Sequence, residues 1–189
     1  MIKKAGFLDF IHAAHIKRWH IVKATQVQTL AEHHWLVTVI ALELYTRLRD
    51  PDGYDPRDIA KLAMAAMFHD SAEIRTGDLP TPGKNLIREM SRDDVFERID
   101  HAILPEIPYI GGNLPTEFTY ILGLADIIES YCWIKDNGIG NYTGLIAERM
   151  LNRIDRRVEE AKSALPAWDW GMAVSSIMHE ILTGDLDPE

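Results

Sequence analysis

The sequence predicts a single all-α domain, a bundle of six or seven helices, on three observations. Apolar side chains recur at helical spacing through most of the chain, no segment shows the alternation of a half-buried strand, and no low-complexity linker or internal repeat divides the 189 residues. A chain of this length fits one core, so residues 1–189 read as one domain with about 60% helix or more.

Residues 30–49 place Val37, Ile40, Leu44 and Leu48 on one stripe, and the turn DPDGYDP follows that helix. Asp55, Pro56 and Asp58 then read as an N-cap, a first-turn proline and an acid near the positive helix end, ahead of the face Ile59, Leu62, Ala63, Ala66 and Met67. The Gly- and Pro-rich stretch TGDLPTPGKN at 76–85 reads as a structured loop. Ser91 with Asp94 can cap a helix through Phe96, Ile99 and Ile103, and PEIPYIGGNLP separates it from the next element. Residues 117–134 are apolar around most of their circumference, which predicts a central helix enclosed by its neighbours. From about Thr143 to Leu165, Ala147, Met150, Ile154, Val158 and Ala161 share one side. Trp170, Val174, Ile177 and Ile181 mark a last helix, and these apolar final helices offer an interface for a homo-oligomer.

Charge and composition narrow the function. A net charge of -9, from 20 Lys and Arg against 29 Asp and Glu, disfavours a protein that grips polymeric nucleic acid through a broad basic surface. It leaves room for a small anion, because one metal ion and a few local cations reverse the potential inside a pocket. No apolar run approaches the ~20 residues that cross a bilayer, and Asp9 and His12 interrupt the start where a signal peptide is apolar, so neither membrane insertion nor export is expected. The lone Cys132 fits a reducing cytoplasm and confines any metal to imidazoles and carboxylates.

Four such residues fall where the apolar pattern predicts burial: His33, His69, Asp70 and Asp126. Asp70 continues the face of Leu62 and Ala66 if that helix persists, and Asp126 interrupts the apolar LGLADIIES. An unpaired buried carboxylate is costly, so two acids in two apolar helices call for a shared positive partner. Taken singly, each acid can instead pair with an Arg and each His can be a satisfied core residue. Together, two imidazoles and two carboxylates suit Mn, Fe, Co, Ni or Zn and leave positions open for water and substrate. His34, beside His33, is left out of this set. Glu73 follows His69 by four residues and shares its side on a continuing helix, where it can take a proton from water or pair, exposed, with Arg75 or Lys84. Asp78 can cap the turn at Pro80 or hold a substrate hydroxyl. Lys17, Arg18, Trp19 and His20 set two cations beside a large ring, a combination that holds phosphate and walls a nucleoside, or merely decorates a surface and plugs the core. Lys84, after Pro82 and Gly83, is a second phosphate contact or a solvated loop lysine.

AEH at 31–33, FHDSAEIRTGDLPTPGK at 68–84 and LADIIES at 124–130 resemble the HD-domain phosphohydrolases, whose hallmark is the ordered set H…HD…D. With Arg18 and Trp19 upstream, the pattern is similar to the bacterial 5′-deoxynucleotidase branch and the related phage deoxyadenosine triphosphate triphosphohydrolases. The likeness covers about residues 10–135, and the helices at about 143–183 complete the bundle without a matching motif. The resemblance implies metal coordination by His33, His69, Asp70 and Asp126, with Glu73 orienting or deprotonating the attacking water. It implies that Arg18 and Lys84 neutralise phosphate oxygens, that Trp19 lies against the sugar and excludes a ribose 2′-hydroxyl, and that Asp78 stands near the sugar or the water.

The implied activity is metal-dependent hydrolysis of 2′-deoxynucleotides at the phosphorus next to the 5′ oxygen, in bacterial cytoplasm or that of a phage host. A monophosphate gives orthophosphate and a triphosphate gives triphosphate. Lys17, Arg75 and Lys84 are cations available to a longer chain, and His20 and Ile21 can shape an adenine-sized pocket, which makes dATP the leading triphosphate. The alternative is a regulatory HD protein that binds nucleotide without turnover, which has no need of Glu73. Signatures of the HD branches that act on cyclic dinucleotides or alarmones are not evident.

Overall fold

Helices begin where the sequence satisfies their free N–H groups. The computed structural model describes residues 3–49, 53–91, 93, 95–105 and 114–184. Among them the order is α1 (Phe7–Ile11), a 3-10 turn (His12–His15), α2 (Leu30–Leu48), α3 (Pro56–Phe68), α4 (Glu73–Thr76), α5 (Thr81–Met90), α6 (Val95–Ile103), α7 (Thr116–Asn137), α8 (Asn141–Ala164) and α9 (Trp170–Thr183). No strand occurs among the described residues, only the isolated bridges Lys17–Thr29 and Ala24–Gly138. At α2 the Thr29 hydroxyl accepts from the Glu32 N–H while the Glu32 carboxylate accepts from the Thr29 N–H at 2.6 Å, a reciprocal cap. Asp55 caps α3 by accepting from the Arg57 N–H at 2.8 Å, ahead of Pro56.

Two expectations change. The helices outnumber the six or seven expected because α1 and α4 span 5 and 4 residues, too short to show a period. The stretch at 76–85 is not all loop: α5 begins inside it at Thr81, with Pro80 as its cap. Pro82 sits in the first turn, where its missing N–H costs nothing. Ser91 closes α5. Asp94, residues 50–52 of the DPDGYDP turn and residues 106–113 of PEIPYIGGNLP lie outside the described residues.

Helix α7 is the centre of the bundle, as its all-round apolarity requires. Ile121, Leu124 and Ile128 are fully buried within a core that includes Val37 and Leu44 of α2, Ile154 of α8 and Trp170 of α9. Val174 and Ile177 belong to the same core, so much of α9's apolar pattern is used inside the bundle. On α2, Trp35, Leu36 and Val39 are exposed instead. No described helix is long and apolar enough to cross a membrane.

A smaller cluster, Ala5, Ile103 and Leu104 with Phe10, Phe68 and Ile99, packs α6 and the N-terminal segment against the end of α3. There the buried Asp100 carboxylate accepts from the Ala72 N–H at 2.6 Å and braces the turn that follows α3. Asp100→Ala leaves that buried N–H unpaired and is expected to cost about 1–3 kcal/mol in denaturant unfolding.

Candidate active site

Helix α3 stops at Phe68, and residues 69–72 turn before α4 restarts at Glu73. The Ser71 N–H bonds to the Phe68 carbonyl and the Glu73 N–H to the Asp70 carbonyl, which makes the reversal tight. The helix therefore does not continue, and a turn brings His69, Asp70 and Glu73 to one place. His33 approaches from the first turns of α2 and Asp126 from the middle of α7.

One ring nitrogen each of His33 and His69 and a carboxylate oxygen of Asp126, atoms able to hold a metal ion, all lie within 4.8 Å of one another. His33 Nε2 is 3.3 Å from His69 Nε2 and 3.4 Å from Asp126 Oδ1. Asp70 Oδ2 stands 3.5 Å from His69 Nε2 and 3.9 Å from His33 Nε2. Atoms bonded to one ion at about 2.0–2.2 Å are separated by roughly 3–3.5 Å, so small inward adjustments close this set on a divalent cation.

Hydrogen bonds on the far side of each ring aim the set. His33 Nδ1–H donates to Glu129 Oε2 at 2.6 Å, and His69 Nδ1–H donates to the Ala66 carbonyl at 2.8 Å, leaving both Nε2 lone pairs for the centre. The Gln28 amide donates in turn to Glu129, and the Trp19 indole N–H donates to Gln28 Oε1 at 2.8 Å. A chain of bonds thus runs from Trp19 to the His33 imidazole. Trp19 adopts φ 61, a left-handed conformation that costs a non-glycine residue, and stacks on Trp133 with ring centroids 5.2 Å apart.

The electrostatics agree with a cation at the centre. Burial disfavours a charged His33, yet hydrogen bonds to Asp126 and Glu129 outweigh it and hold the ring up at about 9. Burial likewise opposes a charged Asp126, and His33 overrides it, drawing the carboxyl down to about 2. Asp70 also falls well below the usual carboxylate range against its burial, through His69, Lys84 and Arg18. A cluster that draws a proton onto a buried imidazole presents the negative field that a divalent ion would occupy. His34 is different. Burial and the neighbouring His69 push its ring well below the ordinary imidazole value, and its buried Nε2 has no hydrogen-bond partner.

Glu73 is 1% exposed rather than the exposed helix glutamate of one expectation, and its partner is Lys84, at 2.5 Å from Oε1. Burial and the charge of Asp70 push it up to about 8 against the pull of Lys84. Arg18 stands 3.4 Å from Asp70 and 3.9 Å from Glu73, so both acids lie between two cations.

Arg18, Trp19, Ile21, Asp70, Asp78, Lys84 and Asp126 all line one cleft of about 490 Å³. Asp78 is 3.8 Å from His20, which also lines it. Backbone bonds from Thr25 to Asn137 and from Ile139 to Lys23 anchor this N-terminal strip to the α7–α8 turn. Two of the cations expected to serve a longer phosphate chain lie elsewhere: Arg75 is engaged by Asp9 at 2.8 Å, and Lys17 does not border the cleft. Arg149 and Arg153 of α8 border it instead. Sequence reasoning also misses Glu129; its signal is an acid one turn after Asp126 on a helix apolar all round.

This bundle, bringing together an H…HD…D set whose two aspartates line a cleft, is that of an HD-domain phosphohydrolase. Residues 7–132 match the family described as 5′-deoxynucleotidase YfbR-like, and the chain belongs to that family. It is 28% identical over 151 residues to the dATP triphosphohydrolase of Cyanophage S-2L, covering 80% of this chain and 82% of that protein. To 5′-deoxynucleotidase VP0926 of Vibrio parahaemolyticus it is 26% identical over 172 residues, covering 82% and 86%. Its fold is similar to that of the Cyanophage S-2L HD phosphohydrolase (DatZ) bound to dA and one catalytic Zn2+ ion, with a TM-score of 0.74, 24% identity, and 96% and 97% of the two chains covered.

Proposed function

We propose that this protein is a divalent-metal-dependent phosphohydrolase of 2′-deoxynucleotides that cleaves between the 5′ oxygen and its phosphorus. The observation that carries the reading is the convergence of His33, His69 and Asp126, the last of which lines a cleft with Arg18 and Lys84, and the burial of Glu73 against Lys84. His33, His69, Asp70 and Asp126 hold the ion, which when bound supplies Lewis acidity toward the phosphoryl oxygens and the attacking water. Glu73 orients that water and takes its proton. Arg18 and Lys84 neutralise phosphate oxygens as charge redistributes. Trp19 walls the sugar against a 2′-hydroxyl, Asp78 holds the sugar or the water, and Ile21 with His20 shapes the base side of the cleft.

Zinc, the ion named in the phage neighbour, heads the candidate metals ahead of Co, Mn, Fe and Ni. The names of the relatives support both a monophosphate and dATP as substrate. The chain works as one domain, in the cytoplasm, and as a homo-oligomer. The test is incubation with ribo- and deoxynucleoside mono-, di- and triphosphates under each of the five ions, with products resolved chromatographically. Metal-dependent release of deoxynucleoside from deoxy substrates, with ribonucleotides spared, is expected. Bound nucleotide without release of phosphate or polyphosphate under any ion refutes the reading and leaves a regulatory binding protein.

A further inference from the structure

The cleft does not end at the ligating side chains. A second cavity of about 270 Å³ shares Asp126, Ile127 and Arg153 with the first and adds Arg156 and Arg157. The apolar side chains Ile21, Val22, Tyr142 and Ile146 border only the first cavity. Arg149 and Arg153 lie one turn apart on the same face of α8, both exposed, and no carboxylate of the described residues pairs with either.

Arg157 shows by contrast what a structural arginine looks like here. Its guanidinium donates to the Thr119 carbonyl at 3.3 Å, pairs with Glu160 at 3.1 Å and lies 4.4 Å over the Tyr120 ring. It also fills the space beside Gly123, where a Cβ would meet its Nε and Nη2 at 3.2 Å. A glycine inside a helix costs about 1 kcal/mol, and here it admits the Arg157 guanidinium against α7 one turn before Asp126.

Charge decides what the free pair is for. With one divalent ion, Arg18 and Lys84 against Asp70, Asp126, Glu73 and Asp78, the inner site sums to about 0, whereas a nucleoside triphosphate carries about -4. Arg149 and Arg153 raise the local sum to about +2 in a chain that otherwise repels polyanions. We propose that Arg149 and Arg153 form a subsite for the second and third phosphates of a deoxynucleoside triphosphate, so that phosphate-chain preference is set on α8. This rests on the reading of the site as a deoxynucleotide phosphohydrolase. In the step it serves, water oxygen bonds to the first phosphorus and the bond to O5′ breaks. One water proton ends on O5′, the other is lost to the site base, and tripolyphosphate leaves intact.

The experiment compares parent and an Arg149→Ala/Arg153→Ala double variant, both metal-loaded, by calorimetric titration with inorganic tripolyphosphate and by kcat/KM for dATP and dAMP. Tripolyphosphate affinity and kcat/KM for dATP are expected to fall about 10²-fold, with dAMP unchanged and most of the dATP loss recovered in Arg149→Lys/Arg153→Lys. Equal falls for dATP and dAMP, no fall for dATP, or a parent that does not bind tripolyphosphate overturns the subsite. A parent that turns over neither nucleotide overturns the phosphohydrolase reading, and the tripolyphosphate titration then still decides the subsite by itself.

Discussion

Asp126→Ala protein is expected to keep its helices, to lose its ion, and to release deoxynucleoside at least about 10³-fold more slowly than the parent, a loss of some 4 kcal/mol of transition-state stabilisation. The side chain is 38% exposed and projects from the middle of α7, so alanine leaves the core filled and suits the helix. What it removes is one oxygen of a set whose members stand 3.3 to 3.9 Å apart. The remaining imidazoles and Asp70 then face the cleft with one anion fewer.

The same substitution has a pH signature in chelator-treated protein. In the ion-free parent, His33 titrates at about 9 against 6.5 for a free imidazole, so its protonation stabilises the fold fully below 6.5 and that stabilisation is lost as pH rises through 9. Asp126, drawn down to about 2 from 3.8, supplies the matching charge above 3.8. The stability gap between parent and variant is therefore greatest between about pH 4 and 6.5 and closes toward pH 9. In the parent, an entering ion must expel the His33 proton, so metal affinity climbs with pH over the same upper range. Elemental analysis, unfolding curves at several pH values and product release read these effects separately. An Asp126→Ala protein that keeps a full equivalent of metal and the parental rate removes Asp126 from the ligand set.

The long helices were legible because burial in a bundle writes a period into the sequence. Leu44, Leu62, Leu124 and Ile154 each recur with neighbours at helical spacing, and each is buried in the common core. Helix α4 left no such trace, and α5 starts among prolines and a glycine that compose equally well a loop or a first turn. The converging acids and imidazoles were legible for the converse reason: Asp126 and His33 break an apolar pattern, and a polar group set among apolar neighbours implies a partner. Their supports broke nothing. Glu129 reads as one more helix acid and Gln28 lies in an aperiodic segment, yet the pair meets across 101 residues of sequence to hold the His33 ring. Arg75 and Arg149 show the same limit for cations. Sequence alone does not reveal that Asp9 engages the first or that α8 turns the second toward the cleft.

Glu73→Gln is the substitution that separates holding the ion from using it. The carboxylate is nearly fully buried, so the isosteric amide keeps the packing of α4 while removing the proton acceptor. Metal content and nucleotide affinity are expected to remain near parental, while kcat falls about 10²- to 10⁴-fold, the usual contribution of a positioned general base. The acid form of Glu73 is inactive in this role. Burial and Asp70 raise its pKa to about 8 in the ion-free protein, and a bound cation lowers it from there, so parental kcat rises with pH along a limb that ends below 8. The amide has nothing to titrate, and that limb is absent from the residual activity of the variant. Lys84, 2.5 Å from Glu73, is the control on this interpretation, since loss of an ion pair alone would also alter the site. Lys84→Met removes the pair but leaves the base, so it should weaken phosphate binding, raise KM and retain an ascending limb displaced to higher pH. A Glu73→Gln profile that keeps the parental limb assigns the proton transfer to another group, with Asp78 the next carboxylate along the cleft.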